Sequence, residues 1–152
     1  MALPGSDSRL ILRKIVGWLM DKNLKTDLVL TALRMAIRSR KPNPGLMLHS
    51  DRGVQYASYK YQCELVRFKI ICSMSRKGNC WDNSVAESFF SSLKRELIYP
   101  EGIFKTVNDA RSAIFSYIEG FYNTSRKHSF LGYLSPDEFE LTGQERILKN
   151  VA

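Results

Sequence analysis

No stretch of this 152-residue sequence approaches the roughly 18 consecutive apolar residues that a membrane-spanning helix requires. The opening MALPGSDSRLILRK also lacks the signal-peptide order of positive charge, apolar run and small-residue cleavage site, so a cytoplasmic location is expected. Cysteine is scarce. Cys63, Cys72 and Cys80 are odd in number and lack the close pairing of a zinc site, which points to reduced thiols. Acidic charge is short as well, with 15 Asp and Glu against 23 Lys and Arg and a formal net charge of +8. The natural partner of such a chain is a polyanion, nucleic acid above all, although a ribosome-associated or membrane-surface protein would carry the same excess. Internal repeats and low-complexity segments are absent too.

What is there is ordinary globular composition, 44% hydrophobic and 25% charged, in a length suited to one core. LILRKIVGWLM, residues 10–20, is rich in β-forming side chains before the polar DKNLKT and predicts a strand. TDLVLTALRMAIRSR then sets Leu28, Val29, Ala32, Leu33, Ala36 and Ile37 on one helical stripe, with Thr26 as the cap. KPNPG breaks the chain, and LMLHS reads as a short buried strand ending just before Asp51. SYKYQCELVRF predicts a helix and KIICSMS another strand, an order that implies a right-handed parallel crossover. After the loop RKGNCW, DNSVAESFFSSLKREL predicts a helix capped by Asp82 or Asn83, apolar at Val85, Phe89, Phe90, Leu93 and Leu97, with Glu87 in its second turn. TVND resembles a capping box opening a longer helix from Thr106 through Tyr122, and SPDEFE predicts a short final helix entered at Pro136. The fold class is α/β.

Two carboxylates stand out for their positions. Asp51 closes a strand and Glu87 lies on the helix after the next one, and in a parallel sheet such groups converge on the strands' carboxyl edge. Oxygen donors of this kind suit Mg2+ or Mn2+, and a pair of ions can activate an attacking oxygen and stabilise a leaving one in phosphodiester chemistry. The plainer readings are a turn-forming aspartate before Arg-Gly and a solvated helical glutamate. His49, two residues before Asp51, shares its face and is expected to pack and hydrogen-bond, with Ser50 facing the other way. Arg76 and Lys77, with Gly78, Asn79 and Trp81, form a basic loop fit to grip a phosphate backbone or stack on a base, or an ordinary loop with Trp81 in the core. Asn83 suits DNA contact or capping. A second cluster holds Tyr122, Asn123, Arg126, Lys127 and His128; Arg126 and His128 contact DNA or anchor the last loop, and the rings of Tyr122 and Tyr133 are expected to pack.

HSDRGVQY, SMSRKGNCWDNSVAESFFSSLKREL and FYNTSRKHSFLGYLSPDEFE occur in that order, and from about Lys14 to about Glu140 the chain resembles the integrase-core (DDE) transposases of the insertion-sequence-three group. The resemblance implies a ribonuclease-H-like core in which Asp, Asp and Glu bind two divalent ions for DNA cleavage and strand transfer. Asp51 matches the second aspartate and Glu87 the glutamate. Lys94 falls where the family carries a basic residue thought to contact DNA, and a spacing of about seven residues places it on the side of Glu87.

The family's first aspartate lies on a strand upstream of RKIVGW, and the residues ahead of Arg13 do not resemble that region. Asp7, Asp21 and Asp27 are poor substitutes. The expected organisation is an unmatched, vector-like segment at 1–12, a partial core at 13–142 and a tail at 143–152. A core without its central strand leaves edges open to pairing, so a homodimer completing the sheet is expected, with DNA at transposon end and target as partner. With two of three ligands, metal binding should be weak and the isolated chain close to inactive. A non-catalytic DNA-binding or dimerising remnant that modulates an intact transposase is the alternative; a nuclease acting on hybrid duplexes is a third reading, without support from the C-terminal blocks.

Overall fold

The computed structural model describes residues 13–21, 23, 25–74 and 84–151, with side chains as far as residue 143. Among the described residues no helix is long and apolar enough to cross a membrane. Two compact units divide the chain: one holds Val16–Glu87, the other Leu12–Ile15 with Ser88–Ala152.

The first unit is built on helix α1 (Thr26–Arg40), strand β1 (Met47–Ser50), the short helix α2 (Val54–Ala57), helix α3 (Tyr59–Arg67) and strand β2 (Ile71–Met74). The two strands are parallel, with Met47 opposite Ile71 and Ser50 opposite Met74, as a helix between two strands requires. Leu30, Leu33 and Ile37 of α1, Tyr61 and Leu65 of α3, and Ile70 form the core, and Leu48 and Cys72 close it from the sheet. β1 is therefore half-buried rather than buried: Leu48 and Ser50 face inward, while Met47 and His49 are exposed. The expected stripe on α1 holds at Val29, Leu33 and Ile37 and differs at its edges. Leu30 belongs to the core, and Ala32 and Ala36 serve a different contact, because a Cβ on Gly17 would come within 2.3 Å of the Ala32 carbonyl oxygen and 3.2 Å of the Ala36 Cβ. Small residues on both sides let the extended chain lie directly on the helix.

That extended segment is not a strand over its described residues, 13–20. The segment has the expected apolar character without the expected pairing. The Ile15 N–H and carbonyl, within the second unit, are bonded at 2.9 Å each by the side-chain amide of Asn123, which does locally what a neighbouring strand would do. Thr26 is likewise not a cap; Lys25 holds that position without a side-chain bond, and Thr26 begins the helix.

The second unit contains most of helix α4 (Ser84–Leu93), which continues as a π-helical stretch, Lys94–Ile98, into α5 (Tyr99–Glu101). Helix α6 (Val107–Phe115) begins with the expected capping box of Thr106 and Asp109 and runs through a second π-helical stretch to Tyr122. A 3-10 turn, Ser129–Leu131, precedes α7 (Pro136–Val151). This last helix is longer than SPDEFE suggested. Ser135 and Glu138 cap it reciprocally: the Ser135 N–H donates to Glu138 Oε2 at 2.7 Å, and the Glu138 N–H to Ser135 Oγ at 3.2 Å.

Candidate functional site

Asp51 follows the last residue of β1, exposed at the strand's carboxyl end. Its Oδ1 accepts the Gly53 N–H at 2.8 Å, so the aspartate does form the turn that Arg-Gly suggested. An added Cβ on Gly53 would sit 2.9 Å from Asp51 Oδ1 and 2.5 Å from the Gln55 amide nitrogen, so a larger residue there would displace those two side chains from the turn. Turn-forming and ligand roles are compatible, because a carboxylate accepts on both oxygens. Tyr56 stands near this charge; burial first, then Asp51, pushes its hydroxyl pKa up. His49 points outward and pairs its Nδ1 with Ser73 Oγ across the sheet at 3.0 Å, and Ser50 is buried, both as expected.

Glu87 is exposed in the first turn of α4 rather than the second, and Lys94, where the π-helical stretch opens, is exposed too. The helix is less apolar in its packing than its sequence: Leu93 is buried and Phe89 meets the Tyr122 ring edge-on at 5.1 Å, but Val85 and Phe90 are exposed. Arg76, Lys77 and Asn83, with Trp81, Cys80 and the cap at Asp82, lie outside the described residues.

The cluster after α6 turns inward. Arg126 grips Glu96 through Nε and Nη2 at 2.6 to 3.0 Å, reaches Ser92 Oγ at 3.0 Å and meets His128 Nδ1 at 3.3 Å. Tyr117 donates its hydroxyl to the same Glu96 at 2.7 Å. Arg126 and His128, which suited either DNA contact or anchoring of the last loop, thus have internal partners, and His128 is buried where its backbone bridges Leu134. Lys127 pairs with Glu138, and Lys14 with Asp137 and Glu140. Tyr122 packs as expected. Tyr133 does not: it is 72% exposed at a φ of 61°, because its backbone N–H turns back to the His128 carbonyl and leaves the ring outside.

His128 supplies a pH-dependent term. Burial, then the charges of Arg126 and Arg13, push its pKa down from 6.5 to about 4. The unfolded chain therefore binds the extra proton first as pH falls. Stability is full above pH 6.5 and declines toward pH 4, by up to about 3 kcal/mol. The depressed Glu64, Glu96 and Glu138 act chiefly below their ordinary 4.5, so the change between pH 7 and pH 5 reads mainly the histidine. Urea midpoints at pH 7 and pH 5 should differ clearly in the parent and much less in His128→Gln.

Two models of the integrase core domain match the chain, over residues 11–80 and 69–136. Over 128 residues it is 48% identical to the transposase for insertion sequence element IS904 of Lactococcus lactis, covering 84% of this chain and 50% of that protein. The chain belongs to the integrase-core family of insertion-sequence transposases. Transposase InsF for insertion sequence IS3A of Escherichia coli is 44% identical over 128 residues, covering 84% of this chain and 44% of that protein. The chain thus spans about half the length of the curated relatives it matches. The catalytic core domain of BIV integrase has the same fold, at a TM-score of 0.65 and 18% identity over 92% of this chain and 86% of that one. A chain of the simian T-cell lymphotropic virus intasome aligns over 71% of this chain and 37% of its own, with a TM-score of 0.56 and 18% identity. The integrase-core fold is ribonuclease-H-like, and the short parallel sheet is consistent with an incomplete core of that kind.

The carboxylates of Asp51 and Glu87 carry oxygen donors of the type that a hard divalent ion takes. Among the described residues no group of three or more His, Cys, Asp or Glu comes together to hold one. Donor type suits such an ion, and among the described residues the donors brought together number fewer than three. What sequence reasoning missed is the hub of Glu96, Tyr117 and Arg126. An available signal was the spacing of Ser88, Ser92 and Glu96, a polar stripe at helical period.

Proposed function

We propose that this chain carries the Asp51 and Glu87 part of a transposase core that cleaves DNA and joins strands with Mg2+ or Mn2+, and that the third carboxylate comes from a partner or from further chain. The observation that supports this most is the position of Asp51, exposed at the carboxyl end of a parallel strand inside the block that matches the family. Lys94, Arg76, Lys77 and Asn83 are the proposed contacts to the phosphate backbone. A homodimer is part of the reading: a sheet of two parallel strands with Met47 and Ile71 exposed side by side is an unfinished layer, since parallel sheets are normally covered on both faces.

The experiment is nicking and strand joining on labelled duplex DNA with Mn2+, comparing the chain with Glu87→Gln. Weak activity that vanishes in the variant supports catalysis with a third ligand supplied in trans, and activity that persists in Glu87→Gln sinks this assignment. Binding without any activity favours the second reading, a DNA-binding or dimerising protein that modulates an intact transposase; what supports it is that among the described residues no three His, Cys, Asp or Glu come together. Under either reading duplex binding should survive Glu87→Gln and fall steeply with salt, and Lys94→Ala should lower the slope of log affinity against log salt by about one.

A further inference from the structure

We infer that Arg126, assisted by Arg13, is a positioning residue: it clamps the back of α4 and so sets the direction in which that helix presents Glu87 and Lys94. Ser88, Ser92 and Glu96 recur every fourth residue and form one stripe. Each is held by an arginine. Arg13 Nη1 donates to Ser88 Oγ at 3.1 Å, and Arg126 Nη2 donates to Ser92 Oγ at 3.0 Å and to Glu96 Oε1 at 2.6 Å. At about 100° per residue, Glu87, Ser91 and Lys94 fall together on another side of the helix, roughly a third of a turn from this seam. A planar fork bonded to two residues one turn apart resists rotation about the helix axis in a way that a single ion pair does not.

Two further features make the clamp stiff. Ser92 is 4% exposed, so its bond to Arg126 forms where water does not compete. Glu96 lies inside the π-helical stretch and also takes the Tyr117 hydroxyl from the other π-helical stretch at 2.7 Å, while the Arg126 guanidinium lies over the Tyr122 ring at 5.6 Å from its centre. π-Helical turns are rare and frequently sit at functional sites. Misplacing a catalytic group by about 1 Å can cost about 100-fold in rate, which is the scale on which such a clamp acts. The inference rests on the proposed reading for what Glu87 does, but not for the clamp itself.

The test is a distance measurement by pulsed electron resonance between nitroxides at Ser91→Cys, on the side of Glu87, and Ser112→Cys on α6, with Cys63, Cys72 and Cys80 replaced by alanine. The parent should give one narrow distribution. Arg126→Lys, which keeps the charge and loses the fork, and Glu96→Gln should each shift or broaden it, and the exchange Arg126→Glu with Glu96→Arg should restore it in part. Variants are compared well below their melting temperatures, and Arg126→Lys keeps the test open should Arg126→Ala fail to fold. An unchanged distribution in both single variants overturns the clamp, whatever happens to the melting temperature. So does a drop of about one in the salt slope of duplex binding with the distance unchanged, which would make Arg126 a phosphate contact. Absence of any nicking dependent on Glu87 would sink the catalytic reading and leave the distance result standing, so the two failures are distinguishable.

Discussion

Asn123→Leu should destabilise the protein by about 2–5 kcal/mol, read as a lower urea midpoint with an unchanged slope. Asn123 is 2% exposed, and its side-chain amide accepts the Ile15 N–H and donates to the Ile15 carbonyl. Leucine keeps the volume and removes both partners. Two backbone groups then lose their hydrogen bonds, at about 1–3 kcal/mol each where water cannot reach them. Asn123→Asp should be no milder, since it keeps the acceptor, loses the donor and sets a negative charge against the Ile15 carbonyl. The Asn123 backbone is committed as well, its N–H to Ile118 and its carbonyl to the Asp137 N–H, so the residue ties the end of α6 to the start of α7. A loss below about 1 kcal/mol would mean that the 13–20 segment is held chiefly by other contacts.

Leu65→Ala is the other large effect, expected at about 3–5 kcal/mol. Leu65 is 1% exposed in the middle of a core formed by Leu30, Leu33, Ile37, Tyr61 and Ile70. The surroundings cannot collapse readily onto the space. Phe68 and Ile70 follow where α3 ends, and the Ile70 N–H is bonded to the Leu65 carbonyl, which fixes the backbone beside the cavity. Against a total stability of about 5–15 kcal/mol, such a loss would bring the protein near its unfolding threshold. The neighbouring Val66, 75% exposed on the other side of α3, serves as the control; Val66→Ala should change stability by less than about 0.5 kcal/mol.

These two sites differ in how much of them the sequence disclosed. α3 was legible as a helix, though not the side it packs, and the parallel pairing of β1 with β2 follows from a helix between two short apolar runs. The Thr106 and Ser135 caps are written in residues three apart. Asp51 at the strand's end could be placed by counting outward from those elements, and the family's blocks are continuous in sequence. Asn123 gave no such signal. Its partner is 108 residues away, and an asparagine in YNTSRKH reads equally well as a turn residue or a polar contact.

Sequence alone determined what depends on near neighbours: the helices, the crossover, the capping box at Thr106 and the positions of Asp51, Glu87 and Lys94 at element ends and faces. Tertiary structure alone decided what each polar side chain faces. It turned Arg126 and His128 inward, left Tyr133 outside and gave Ile15 a side chain in place of a strand. The physical reason is range. Helical period and capping are set by bonds a few residues long, whereas a guanidinium bonds whichever carboxylate the fold brings to it, and burial excludes water from the pair that results.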